Sequence, residues 1–238
     1  MFLNQYSEQV LYYCLRHKYV SINSLALLFP ENTNREQLRR KLHKMVQAKL
    51  LKRFKIFSEK KVVDMVYTLD VTGINVLKET VDISKNDYEY HEFLKQSYKH
   101  RCVLADFDIQ LRDRKGVTWY SESESIHQYG DTYAEIIRPD AALLINDTTI
   151  FIEYEHTSRP KELIKKIKRY DEYLLYDSHL VHPNIKMKGI FFLFVIVDTI
   201  QRKQNCQTII EQLEQQQFKV QVLTIDELKQ QLKIENKK

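Results

Sequence analysis

The chain has 238 residues, 43% of them hydrophobic, enough for one large domain or two modest ones. The net charge of +5 is uneven: residues 1–60 hold 12 Lys+Arg against 4 Asp+Glu, while residues 61–238 hold 25 against 28. No stretch reaches the length of a membrane-spanning helix, four glycines form neither GxGxxG nor GxxxxGK(S/T), and Cys14, Cys102 and Cys206 form no CxxC pair, so membrane spans, nucleotide-cradling loops and zinc clusters are not expected.

The opening Met1-Phe2-Leu3-Asn4-Gln5 lacks the basic start and apolar core of an export signal. A cytoplasmic location with reduced thiols is expected. From Asn4 to Leu15, apolar residues recur at helical spacing through Tyr6, Val10, Leu11, Tyr13 and Cys14. Ser21 is placed to cap a short helix, Ile22 to Phe29, that stops at Pro30. A third helix, capped by Asn32, Thr33 or Asn34, buries Leu38, Leu42 and Met45 and turns Arg35, Arg39, Arg40, Lys41 and Lys44 outward. Two β-rich runs follow, Leu51–Phe57 and Val62–Leu69, joined by the polar tip Ser58-Glu59-Lys60-Lys61.

Three helices and a hairpin are the order of a winged helix-turn-helix, whose third helix enters the major groove while the wing touches backbone. Arg35, Arg39, Arg40 and Lys44 on that helix, Lys52, Arg53 and Lys55 on the first wing strand, and Lys60 and Lys61 at the tip are the expected DNA contacts. Arg39 and Arg40 suit base reading, and the wing residues suit phosphate neutralisation. Asp70–Glu79 reads as a closing helix with Gly73 as its weak spot. The polar stretch Val81–Asp87 places a boundary that gives domains at 1–83 and 84–238.

The second domain reads as a long helix Tyr88–Arg114, a strand at Val117–Ser121, a polar loop through Gly130, and strands Ala141–Ile145 and Thr149–Glu155. A helix from Lys161 to Tyr176 follows Pro160, then a buried strand Gly189–Val197, a helix Thr199–Gln216, a strand Lys219–Thr224 and a helix Asp226–Lys233. The order predicts an α/β (α+β) domain with a mixed sheet flanked by helices.

Along Thr149–Glu155 the side chains alternate, so Phe151, Glu153 and Glu155 share one face. A two-residue hairpin loop at Asn146-Asp147 sets Asp140 opposite Glu153; a loop at Asp147-Thr148 sets it opposite Glu155. In either register the three acids share a face. Clustered carboxylates repel unless a positive charge sits among them, and Mg²⁺ or Mn²⁺, hard cations with oxygen ligands, are the expected neutralisers at Asp140, Glu153 and Glu155. Such an ion activates water for attack on a phosphate. The following helix offers a lysine for the same chemistry, with Lys166, one turn from Tyr170, the preferred one. His100 on the long helix, or His156, is a further candidate to assist.

Arg138-Pro139-Asp140 followed by Glu153-Tyr154-Glu155 resembles the PD-(D/E)XK restriction-endonuclease-like fold. More narrowly, Pro139-Asp140-Ala141, the run Phe151 to Thr157, Lys166-Ile167-Lys168-Arg169-Tyr170 and the stretch His100–Leu111 are similar to the replication-relaxation family of mobile elements. That resemblance implies a winged helix joined to a nuclease-like domain, with Asp140, Glu153 and Glu155 as metal ligands and Lys166 as the helix lysine. It implies a relaxase-like endonuclease that nicks a plasmid origin. DNA is the expected partner, with other mobilisation or replication proteins and a homodimer as admissible ones, and no membrane. Two departures stand out: Glu155 fills the position where nucleases usually carry lysine, and His156-Thr157 replaces a glycine. The first points to a relocated lysine or, as the alternative, to an inactive nuclease-like DNA-binding protein in plasmid replication or transcription control. A restriction-type nuclease cutting both strands and a covalent tyrosine mechanism are weaker readings, the latter because no HxH motif accompanies the 15 tyrosines.

Overall fold

The computed structural model describes residues 4–29, 34–58, 61–82, 98–130, 135–155, 159–176, 182, 185, 189–213 and 218–234, with the side chains of 58 and 61–63 outside that set. The chain divides into two compact units, Met1–Gln110 and Leu111–Lys238.

The first unit opens with α1 (Gln5–His17), capped by Asn4, whose Oδ1 accepts the Ser7 N–H at 2.9 Å. After β1 (Val20–Ser21), the Ser21 hydroxyl caps α2 (Ile22–Leu27), as the sequence led us to expect. Asn34 is the residue that caps α3 (Arg35–Gln47); Asn32 and Thr33 lie outside the described residues. Strands β2 (Leu51–Ser58) and β3 (Lys61–Leu69) pair antiparallel, and the short β1 joins β3's other edge to give the order β1-β3-β2. Asp70 caps α4 (Val71–Lys78). Gly73 is a packing necessity in α4: a Cβ there would lie 2.2 Å from the Leu50 carbonyl oxygen. The core joins Val10, Leu11 and Cys14 of α1, Leu38 and Leu42 of α3, Leu51 and Tyr67 of the sheet and Ile74 and Leu77 of α4.

Helix α5 (Tyr98–Leu111) is shorter than the expected Tyr88–Arg114, whose first ten residues lie outside the described set. Up to Gln110 it groups with the first unit, so the division falls inside this helix and not at residue 83. The physical reason is its apolar face and one charge. Ala105 and Ile109 enter the first unit's core. Asp108, buried, meets Arg16 Nε and His17 Nε2 of α1, each at 2.8 Å.

The second unit is a five-stranded mixed sheet in which the strand at 190–197 is flanked by those at 219–224 and 148–154, followed by those at 141–145 and 117–121. Strand β4 (Val117–Ser121) pairs antiparallel with β7 (Ala141–Ile145), and β7 with β8 (Thr148–Tyr154). Strands β9 (Ile190–Val197) and β10 (Lys219–Thr224) then add in parallel. The segment read as a polar loop holds α6 (Glu122–Ser125), with a capping box from Ser121 and Glu124, and a small ladder of β5 (His127–Gln128) and β6 (Ile136–Ile137). Helix α7 (Pro160–Leu175) links β8 to β9, and α8 (Ile200–Glu211) links β9 to β10. Successive parallel connections of one hand bring both helices to one face of a sheet. There Leu163, Ile167 and Tyr170 of α7 and Cys206 of α8 pack on Ala142, Phe151, Leu193, Val195 and Val222. A last helix, α9 (Ile225–Gln231), has its own capping box from Thr224 and Glu227. Among the described residues, no helix is long and apolar enough to cross a membrane.

Candidate active site

Asn146 and Asp147 form the two-residue loop between β7 and β8, because Ile145 pairs with Thr148. Asn146 takes the positive φ, 52°, that such a loop needs and asparagine tolerates. Of the two registers open to the sequence, this one continues the ladder from Ala141–Ile152 towards Asp140 and Glu153. A further anchor fixes Asp140: its Oδ2 accepts the Tyr154 backbone N–H at 2.7 Å.

Alternation along β8 sends Phe151 and Glu153 to the face that α7 covers, while Tyr154 points the other way and donates its hydroxyl to Asp198. The Glu155 N–H continues the ladder to the Ile196 carbonyl at 2.8 Å, so Glu155 keeps the strand's alternation. Both glutamates are buried, at 3% and 7% exposure, and such burial requires partners.

For Glu153 both oxygens are engaged from α7. Lys166 Nζ donates to Oε2 and the Tyr170 hydroxyl to Oε1, each at 2.7 Å. Lys166 and Tyr170 stand one helical turn apart, which points them the same way. Burial works against the Lys166 ammonium, but the charges of Glu153, Asp140 and Glu155 outweigh it and hold its pKa above the ordinary lysine range. The lysine therefore sits in the field of all three acids, the position in which the sequence called for a cation.

Asp140 is half-buried. Desolvation, then the negative charge of Glu153, push its carboxyl up to about 7, although Lys166 and the Tyr154 N–H pull the other way. Glu122, the first residue of α6, adds a weaker negative influence on Asp140. Even with Lys166 present, Asp140 lacks enough positive charge to ionise at its usual pH.

Sequence reasoning named Asp140, Glu153, Glu155 and Lys166, and the structure brings these four together. Tyr170 stood in the sequence only as the residue one turn from Lys166, with no role at the site; its hydroxyl contact with Glu153 comes from the structure. Nothing in the sequence pointed to Glu122. His100 lies half-buried on α5 in the first unit, and His156 lies outside the described residues.

The predicted basic surface is present on the first unit. Arg35, Arg39, Arg40 and Lys44 of α3 are exposed, as are Arg53 and Lys55 of β2. Arg35 donates to Asn23 at 2.8 Å, Glu36 accepts from Arg40 at 3.4 Å and lies 3.9 Å from Arg39, and Lys52 lies 3.8 Å from Asp70. Pairs this exposed are weak and readily exchanged. Burial raises the Tyr67 pKa, and Arg53 and Arg39 both pull it down, so one side chain feels the basic residues of α3 and β2 together. Lys60 and the Lys61 side chain lie outside the described residues.

Oxygen donors of this kind suit a hard divalent ion. Asp140 raised to about 7 is a carboxylate that an added cation would return to its charged form. Among the described residues, no group of three or more His, Cys, Asp or Glu side chains forms a cage for a metal. A Mg²⁺-type site needs none, since one or two carboxylates, waters and substrate phosphate complete it. The donor set thus fits an open site.

Comparison with known families gives a match to the one described as replication-relaxation, over residues 13–185 of the 238. No curated protein and no solved structure matches the chain.

Proposed function

The chain belongs to the replication-relaxation family, and from that premise we propose that it binds a specific site on plasmid or mobile-element DNA and nicks it by divalent-metal-dependent phosphodiester cleavage. The observation that carries the reading is the Lys166 ammonium at 2.7 Å from buried Glu153, with Asp140 and Glu155 near enough for their charges to act on it. Three helices and a hairpin with basic residues on α3 and β2 support a winged helix as the DNA-holding part. The strand pair β7–β8 followed by α7 supports a nuclease-like second part.

Of Asp140, Glu153 and Glu155, one or two would hold Mg²⁺ or Mn²⁺, with waters and substrate phosphate completing the set. When bound, the ion would supply an acidified water and positive charge for the phosphate. Lys166, protonated and still 36% exposed, presents its ammonium to the scissile phosphate or orients the attacking water. Asp140 must be ionised for its part. The wing cations Lys52, Arg53 and Lys55 neutralise backbone phosphates, while Arg39 and Arg40 face base edges from α3.

A second reading draws on the same lysine: the Lys166–Glu153 pair already neutralises one acid, as a site without cleavage would require. The protein would then bind DNA for replication or transcription control. Incubating supercoiled plasmid carrying the cognate origin with Mg²⁺ or Mn²⁺ separates the two. Open circles that appear with wild type and fail to appear with Asp140→Ala support nicking; equal conversion by both proteins contradicts it, and binding without any conversion favours the second reading.

A further inference from the structure

We propose that Tyr170 is a positioning residue for the acid site: its hydroxyl fixes the Glu153 carboxylate in the orientation that divalent-ion binding and strand cleavage require. The inference rests on the metal-dependent nicking reading above and extends it to a residue outside the acid–lysine set.

The argument starts from what Glu153 touches. One oxygen meets Lys166 and the other meets Tyr170, both at 2.7 Å. The two partners differ in what else is asked of them. Lys166 reaches solvent, so its ammonium is available to a DNA phosphate. Tyr170 is 2% exposed and is gripped by aromatic packing, with Phe151 at 4.9 Å and Phe218 at 6.3 Å between ring centroids. Its ring cannot follow a substrate.

A buried carboxylate that loses one partner either finds another or turns. If Lys166 moves to a phosphate, Tyr170 is the contact that keeps Glu153 from turning. The hydroxyl acts as a donor, since burial and the Glu153 charge hold the proton on Tyr170. That also sets Tyr170 apart from a nucleophilic tyrosine. Fixing a carboxylate through a rigid neighbour is how supporting side chains tune metal sites, at a cost of roughly 10- to 100-fold in affinity or activity when lost.

Tyr170→Phe removes the hydroxyl and leaves the ring. The experiment compares wild type, Tyr170→Phe, Glu153→Gln and the double variant, as full chains, by Mn²⁺ calorimetry and by the nicking rate at saturating plasmid. Tyr170→Phe is expected to weaken Mn²⁺ binding and lower kcat roughly 10- to 100-fold, with the KM for DNA unchanged. In the Glu153→Gln background it is expected to cost nothing further, because the hydroxyl acts through that carboxylate. Mn²⁺ affinity and kcat equal to wild type, or losses that multiply in the double variant, overturn the proposal. A wild type that takes up Mn²⁺ without nicking, and loses that uptake on Tyr170→Phe, overturns the nicking reading and leaves the role of Tyr170 standing. A wild type that does neither overturns both.

Discussion

Asp140 is the side chain on which pH acts most directly. Its carboxyl is raised to about 7 by burial and by Glu153. In the unfolded chain it would titrate near the ordinary aspartate value of about 4. Between those values the folded protein binds a proton that the unfolded chain has lost. The contribution of Asp140 to stability is therefore full at acid pH and fades as pH rises through about 7. Asp140→Asn should flatten that part of a melting-temperature profile. In the proposed nicking reaction, activity should run the opposite way, because only the ionised carboxylate would serve. The nicking rate should climb about tenfold per pH unit below the Asp140 midpoint and level off above it. A rate independent of pH between about 5 and 8 would count against an ionised Asp140 in the mechanism.

The elements that carry these side chains were largely visible in the sequence, because strand alternation and helix periodicity are local signals. Glu153 and Glu155 share a face for that reason, and Lys166 follows from the amphipathic spacing of α7. What stayed hidden was non-local. Whether Asp140 faced Glu153 or Glu155 depended on which residues turned the hairpin, and the loop at Asn146-Asp147 decides it. That Asp108 would hold α5 against α1 required knowing that Arg16 and His17 lay beside it, some ninety positions earlier in the chain. Gly73 read as a weak point in a helix, yet it is where α4 crosses the Leu50 carbonyl. Gly73→Ala should therefore destabilise the first unit by about 1–3 kcal/mol, since a methyl group there forces backbone to move. Chemical denaturation would check it, and a variant as stable as wild type would mean that α4 can shift freely. Asp108→Ala should cost at least as much, about 3 kcal/mol, because it removes the buried carboxylate that both Arg16 and His17 meet.

Charge divides along the chain, with the excess of basic residues in positions 1–60 and the acids of the site beyond them. If the exposed cations of α3 and β2 neutralise phosphates, affinity for DNA should fall steeply as salt rises. Replacing Arg39 and Arg40 together with alanine should weaken binding and shallow that dependence while leaving the second unit folded. An affinity that does not respond to salt would dismiss the basic surface as a DNA contact. Holding DNA and cutting it are separable properties, so both belong in the same experiment. Wild type, Asp140→Ala, Glu153→Ala and Lys166→Met should each be brought to equal occupancy on a supercoiled plasmid with its origin, and nicking then started with Mg²⁺. Four proteins that bind alike, of which only the wild type yields open circles, is the expected result; nicking at the wild-type rate by the three variants would contradict an acid–lysine cleavage site.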